Sequence, residues 1–291
     1  MKELNGHELA EYMKENQAHL VRSLRAQGAQ PKLVIIRDSD NPVITKYVQL
    51  KQRYGADIGV EVEDWLREDA KTAVHEANSD PSVHGMIVQL PLRDKATTDE
   101  IVQEIMPEKD VDGLSHEANN DTIGHAPGEI NSEGDTSKAE TIPRFESATA
   151  TAINWLLAGY DIDLTGKKIA IVGRGRLVGA PLERMWRNSG YNVTVFRSKD
   201  SLETLPEFDV IVSATGVAHL IKDEMVGSGA VVVDAGTASE GGVLVGDVDD
   251  AVRERNDLKA MTPKVGGVGP LTVTALFEHV LIAAQQQKVT H

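Results

Sequence analysis

The chain has 291 residues, and 45 Asp and Glu against 30 Lys and Arg leave a formal charge of −15. A surface this acidic repels a polyanion, so no nucleic-acid partner is expected, and 41% hydrophobic with 26% charged residues describes a folded globule rather than a disordered chain. The absence of cysteine removes disulfide scaffolds, cysteine nucleophiles and thiolate metal sites.

Met1 leads straight into Lys2, Glu3 and Asn5, without the apolar run of a signal peptide. No stretch is read as reaching the roughly 18 to 20 apolar residues of a membrane span. The expectation is a soluble, cytoplasmic protein with no membrane partner and no metal. Leu33 to Ile36 is an apolar run between Pro31 and Asp38, which suits a buried parallel strand. Asn41 and Pro42 read as a helix cap and first turn, with Ile44, Val48 and Lys51 following at helical spacing. Tyr47 and Lys51, four apart, share one face of that helix, a pattern also common on ordinary amphipathic helices. Gly85 to Leu90 is a second strand, which Pro91 ends. This part reads as βαβ units and hence a parallel sheet.

The stretch from Glu117 to Glu140 carries six acids, one lysine and three glycines. It cannot supply a packed core and is expected to be a mobile, protease-sensitive linker or lid between domains. A second domain begins near Thr149. Ala152 to Tyr160 is helical, and strands follow at Lys168 to Val172, Asn192 to Phe196, Asp209 to Ser213 and Ala230 to Asp234. Helical segments at Pro181 to Asn188, near Leu202 and at Asp223 to Val226 separate them, in a doubly wound α/β plan. Gly266 to Pro270 is a glycine-rich turn, and Leu271 to Gln286 a closing helix.

Where strand meets helix, Gly173, Gly175 and Gly179 give G-x-G-x-x-x-G, one residue longer than the usual dinucleotide fingerprint. A turn without side chains lets backbone N–H groups approach a pyrophosphate, and the helix N-terminus favours its charge. Glycines also close such turns for steric reasons alone. An NAD site wants an acid at the end of the second strand. Here that strand ends in Phe196-Arg197-Ser198-Lys199, with no acid before Asp200. Arg197, Ser198 and Arg174 suit a 2′-phosphate, unless they are ordinary solvated residues.

Tyr-x-x-x-Lys also occurs in short-chain dehydrogenases, but there the glycine-rich turn comes first, and here Tyr47 long precedes Gly173. Three motifs point elsewhere: Tyr47-Val48-Gln49-Leu50-Lys51, Val88-Gln89-Leu90-Pro91-Leu92 and Lys109-Asp110-Val111-Asp112-Gly113. With Gly173-Arg174, Val245-Gly246-Asp247-Val248 and Thr262-Pro263 through Gly266-Gly267-Val268-Gly269-Pro270-Leu271-Thr272, they resemble the bifunctional methylenetetrahydrofolate dehydrogenase/cyclohydrolase family, in order over nearly the whole chain. The resemblance implies an α/β fold of two domains with an active-site cleft between them. Residues 1–146 would be a βαβ-type catalytic domain that binds folate, and 147–270 a Rossmann-like domain that binds NADP. Helix 271–291 would pack back on the first domain.

By the same resemblance Lys51 is the central catalytic group, Gln89 holds it, Tyr47 shapes the folate pocket and Asp112 bonds the pterin ring. Leu90, Gly266, Gly269 and Pro270 line the substrate site, while Gly173, Arg174, Gly175, Arg197, Ser198, Thr237 and Thr149 contact NADP. Tetrahydrofolate derivatives are the implied substrates, in one-carbon metabolism, and a homodimer the implied assembly. The chain departs from the family pattern at Ser147-Ala148-Thr149-Ala150, where Pro-Cys-Thr-Pro is usual, and at Gly175, where serine is. Arg93 stands in place of a third proline, and Lys264-Val265 in place of Val-Pro. A monofunctional dehydrogenase and a catalytically idle dinucleotide-binding regulator are the alternatives. Retention of Tyr47, Lys51, Gln89 and Asp112 argues against the regulator.

Overall fold

A computed structural model describes residues 1–115, 144–240 and 243–289. The acidic stretch from Glu117 to Glu140, expected as a mobile linker, lies outside them. The chain runs through β1 (Lys2–Glu3), α1 (Gly6–Ala26), β2 (Lys32–Arg37), α2 (Pro42–Ile58), β3 (Glu61–Leu66), α3 (Ala70–Ser79), β4 (Gly85–Val88) and α4 (Thr98–Gln103). Then come α5 (Ala148–Gly159), β5 (Lys168–Val172), α6 (Gly179–Asn188), β6 (Asn192–Phe196), β7 (Val210–Ser213) and β8 (Val231–Asp234). A hairpin of β9 (Ala238–Glu240) and β10 (Val243–Val245), the short α7 (Asp250–Arg253), β11 (Ala260–Met261) and α8 (Val268–Val289) complete the chain.

The chain divides into two compact units: residues 15–146 with 276–291, and residues 1–14 with 147–275. In the first, β2 lies between β3 and β4, all parallel. Val34 and Ile36 of β2 pack with Val74 of α3 and Val102 of α4. Leu33 and Ile35, which alternate to the other face, are also fully buried. Burial of both faces is what a parallel sheet requires, and it explains the unbroken apolar run. The strand read as Gly85 to Leu90 ends at Val88, although the Gln89 N–H still donates to Ile36 O at 2.8 Å.

In the second unit the strand order is β1-β11-β8-β7-β5-β6, with every pair parallel. The chain leaves β5 for β6 on one side and returns to β7 on the other, which makes the β5/β7 junction the switch point of a doubly wound sheet. The first residues belong here and not to a domain spanning 1–146: Lys2 and Glu3 pair with Ala260 and Met261, and Leu4 is fully buried in this unit's core.

Three further expectations change. Ser147 caps α5, its hydroxyl accepting from Ala150 N at 3.3 Å, so that helix starts at Ala148. The segments near Leu202 and Asp223 are single 3₁₀ turns, Leu205–Glu207 and Asp223–Met225. Finally, Val268–Gln287 of α8 is long and apolar enough to cross a membrane, contrary to the reading that no stretch qualifies. Its composition has another cause. Leu271, Ala275, Phe277, Val280, Leu281 and Ala284 are all fully buried, as in a core helix.

Candidate active site

In the three-stranded unit the chain goes from β2 through α2 to β3 and crosses back to β4, so the carboxyl ends of β2 and β4 form this sheet's switch point. Two of the predicted residues, Lys51 and Gln89, meet through these elements. Asn41 caps α2, its side chain accepting from Val43 N at 2.8 Å, and Pro42 fills the first turn. Ile44 and Val48 are buried, and Tyr47 and Lys51 lie on the same stripe of the helix, half-buried beside them. Lys51 Nζ donates to Gln89 Oε1 at 2.9 Å. Leu90 packs against the core beside Gln89.

Burial pulls the Lys51 ammonium below its ordinary pKa, and the negative charge of Asp112 opposes that pull. Asp112 is pushed up to about 7, chiefly by burial; Lys51 lowers it and Asp110 raises it. Each group thus sheds its charge more readily than in water, which suits proton exchange near neutrality. Burial also raises the Tyr47 hydroxyl.

The turn that carries Asp112 is held by residues that sequence reasoning left without roles. Asp110 is buried and accepts from Leu114 N at 3.2 Å and Ser115 N at 2.8 Å. Burial raises its pKa, and those bonds oppose the rise. Lys109 is buried too, and its Nζ donates to the carbonyls of Ala77, Asn78 and Asp80 at 3.0, 2.8 and 2.7 Å. It therefore caps the C-terminus of α3, where a cation meets the negative end of the helix dipole. Spacing within Lys109-Asp110-Val111-Asp112-Gly113 cannot tell which of the two acids holds the turn.

A raised carboxyl carries a cost that grows with pH. Between the unfolded and folded pKa values, folding requires Asp112 to bind a proton that the unfolded chain lacks, so stability falls as pH rises across that window. Asp112→Asn removes the requirement. Its thermal midpoint is expected to exceed the parent's by more at about pH 8 than at about pH 5, levelling off once the folded pKa is passed. A gain independent of pH would show that the Asp112 carboxyl is not raised.

In the six-stranded unit Gly173 follows β5 with φ 98°, a left-handed conformation that favours glycine. A side chain at Gly179 would collide with the Gly173 carbonyl, so the start of α6 closes directly over the turn. Gly175 has open space around it. Arg174 is bound to Glu183 through Nε at 2.5 Å, and Arg187 Nη1 reaches the same carboxylate at 2.9 Å. Arg197, Ser198 and Lys199 are exposed after β6. Asp200, the nearest acid, turns back to accept from Arg197 N at 2.7 Å. Thr149 is partly buried in the first turn of α5, and Thr237 is exposed after β8. The bare glycine cradle and the exposed basic rim fit a phosphorylated dinucleotide.

Two buried acids tie together the loops at the carboxyl edge of this sheet. Asp247 Oδ2 accepts from Ser213 Oγ at 2.7 Å, Thr215 N at 2.6 Å and Thr215 Oγ1 at 2.9 Å. Asp234 accepts from the amides of Gly236, Asp247 and Val248 at 3.1 to 3.2 Å, and from Arg253 Nη2 at 2.5 Å. Gly266, Gly269 and Pro270 belong to this unit as well, with the last two in the opening turn of α8.

The model of the tetrahydrofolate dehydrogenase/cyclohydrolase catalytic domain matches residues 4–112, and that of the family's NAD(P)-binding domain matches 147–288. The bifunctional protein FolD of Lactobacillus helveticus is 37% identical over 98% of each chain. A crystal structure of bifunctional FolD from Campylobacter jejuni superposes with a TM-score of 0.84 at 32% identity, over 98% of this chain and 99% of that one. The Trypanosoma brucei enzyme, solved with NADP cofactor and inhibitor, gives a TM-score of 0.82 at 27% identity, over 99% and 98% of the two chains.

Proposed function

The chain belongs to the tetrahydrofolate dehydrogenase/cyclohydrolase family, and from that premise we propose what its residues do. The enzyme oxidises 5,10-methylenetetrahydrofolate to 5,10-methenyltetrahydrofolate with NADP and hydrolyses the product to 10-formyltetrahydrofolate. The observation that carries the residue roles is the bond from Lys51 to Gln89, with Asp112 as the opposing charge.

In the oxidation a neighbouring nitrogen lone pair expels the hydride, so no side chain takes a proton from that carbon. NADP, when bound, supplies the acceptor. The protein's task is placement, which falls to Tyr47, Leu90 and Asp112. In the hydrolysis water loses a proton and a ring nitrogen gains one. Lys51, with its lowered proton affinity and its amine anchored by Gln89, relays it. One assay that follows NADPH and methenyltetrahydrofolate separately tests both activities, and loss of either signal in the parent protein refutes the bifunctional reading.

For the cofactor, Gly173, Gly175 and Thr149 would take the pyrophosphate side, Thr237 the far end, and Arg197 with Ser198 the 2′-phosphate. Arg174 is already committed to Glu183, which leaves Arg197 as the principal cation. NADP is therefore expected to exceed NAD at least about tenfold in kcat/KM, roughly 1.4 kcal/mol. Arg197→Ala should lower efficiency with NADP and leave NAD nearly unchanged. Equal efficiency with both cofactors in the parent would overturn this assignment. A homodimer in the cytoplasm completes the proposal, and the charge of −15 supports the absence of a nucleic-acid partner.

A further inference from the structure

His279 lies on α8 within the three-stranded unit and is 7% exposed. Its Nδ1 is 2.8 Å from the Val111 carbonyl oxygen, and its ring stacks on Phe145 with centroids 4.9 Å apart. Burial pushes the imidazole down to about 4, so the ring is neutral near pH 7. A neutral imidazole has a single N–H, and a carbonyl oxygen only accepts, so the bond places that proton on Nδ1.

Val111 stands between Asp110 and Asp112. Asp110 fixes the preceding backbone through its bridge to Met86, and its carboxylate fixes the backbone beyond Gly113 by holding the Leu114 and Ser115 amides. The Val111 side chain is fully buried. The Gly113 N–H also donates to the Asp110 backbone oxygen at 3.1 Å, which makes the plane joining Val111 to Asp112 the central peptide of this turn. The oxygen of that plane is the one His279 holds. Rotating the plane swings the Cα–Cβ bond of Asp112, and with it the carboxyl.

We propose that His279 is a positioning residue for Asp112: its Nδ1–H pins the Val111 carbonyl and so aims the carboxyl that binds folate. The inference rests on the assignment of Asp112 to the folate site. It separates the hydrogen bond from the packing of the ring, because the two are lost in different variants. In asparagine Nδ2 stands as many bonds from Cα as histidine Nδ1 does, so His279→Asn keeps the donor and loses the ring. His279→Leu fills space and loses the donor. Phe145→Leu removes the stacking partner and leaves the donor.

His279→Leu is expected to raise KM for methylenetetrahydrofolate roughly tenfold and leave KM for NADP within about twofold. His279→Asn and Phe145→Leu should keep folate KM within about threefold of the parent, even where their thermal midpoints fall. Equal impairment of the Asn and Leu variants, or an unchanged folate KM in His279→Leu, would overturn the proposal, since the ring would then act by packing alone.

Amide hydrogen exchange over Asp112 to Ser115 supplies a second readout, independent of turnover. Faster exchange in His279→Leu, restored in His279→Asn, supports the proposal, and no difference refutes it. Should the Leu variant fail to fold, slow exchange in His279→Asn supports it and fast exchange refutes it. Calorimetric titration of the parent with 5-formyltetrahydrofolate keeps the two readings apart. No binding there refutes the folate assignment, while the exchange data still decide what His279 does.

Discussion

Lys51→Met is expected to lower the cyclohydrolase rate by about 10²–10⁴-fold, the usual contribution of a general acid–base group, while dehydrogenase activity stays measurable. Methionine keeps the length of the side chain and its helix propensity, so α2 and its buried Ile44 and Val48 should be undisturbed. What goes is the amine, and with it the 2.9 Å bond that Gln89 accepts. Hydrolysis needs the amine to move protons; hydride expulsion needs only the folate in place. The dehydrogenase should therefore lose affinity for folate more than it loses kcat. Because burial lowers the Lys51 pKa, the parent's hydrolytic rate should rise with pH as that amine becomes neutral, and the Met variant should lack that rise. Following NADPH formation and methenyl disappearance in the same variant decides the matter. An intact cyclohydrolase, or an equal fall in both rates, would remove Lys51 from the proton relay.

Asp247→Ala is expected to destabilise the protein by about 3 kcal/mol, through donors stranded in a fully buried site. Ser213 Oγ, Thr215 N and Thr215 Oγ1 all lose their shared acceptor. Relief for Asp247 Oδ1, which is buried without a partner, offsets part of the loss. At this size the thermal midpoint should fall by roughly 6 to 12 °C. Asp247→Asn retains one acceptor oxygen and should lose less. Thermal melts of the two variants beside the parent make the check, and a midpoint unmoved in Asp247→Ala would show that the network contributes little.

The parallel strands Leu33 to Ile36 and Lys168 to Val172 were legible because burial on both faces leaves an apolar run, and Asn192 to Phe196, at the sheet edge, because Val193 and Val195 alternate with exposed Thr194. The cap at Asn41 was legible for a local reason, since the side chain bonds the helix beside it. β1 left no trace, because a two-residue strand is made by its distant partner β11. At the site, Lys51 and Gln89 stand on elements that local pattern identifies. The support under Asp112 does not. The bonds of Lys109 reach residues 29 to 32 positions away, and His279 lies 168 positions from Val111. A lone histidine on an apolar helix carries no signal of such a partner.

Each compact unit is assembled from two separated stretches of chain, and this sets an order on its making. The unit with Lys51 receives Phe277, stacked on Tyr54 at 5.0 Å, and His279 only after residues 147–275 have been synthesised. An isolated fragment of 15–146 thus lacks part of its own core, and cutting the chain where the family models divide it does not yield an autonomous catalytic half. During translation the neighbouring unit can complete its sheet while the folate side still waits for a helix, so exposed apolar surface on that side is the window in which a chaperone acts or aggregation begins.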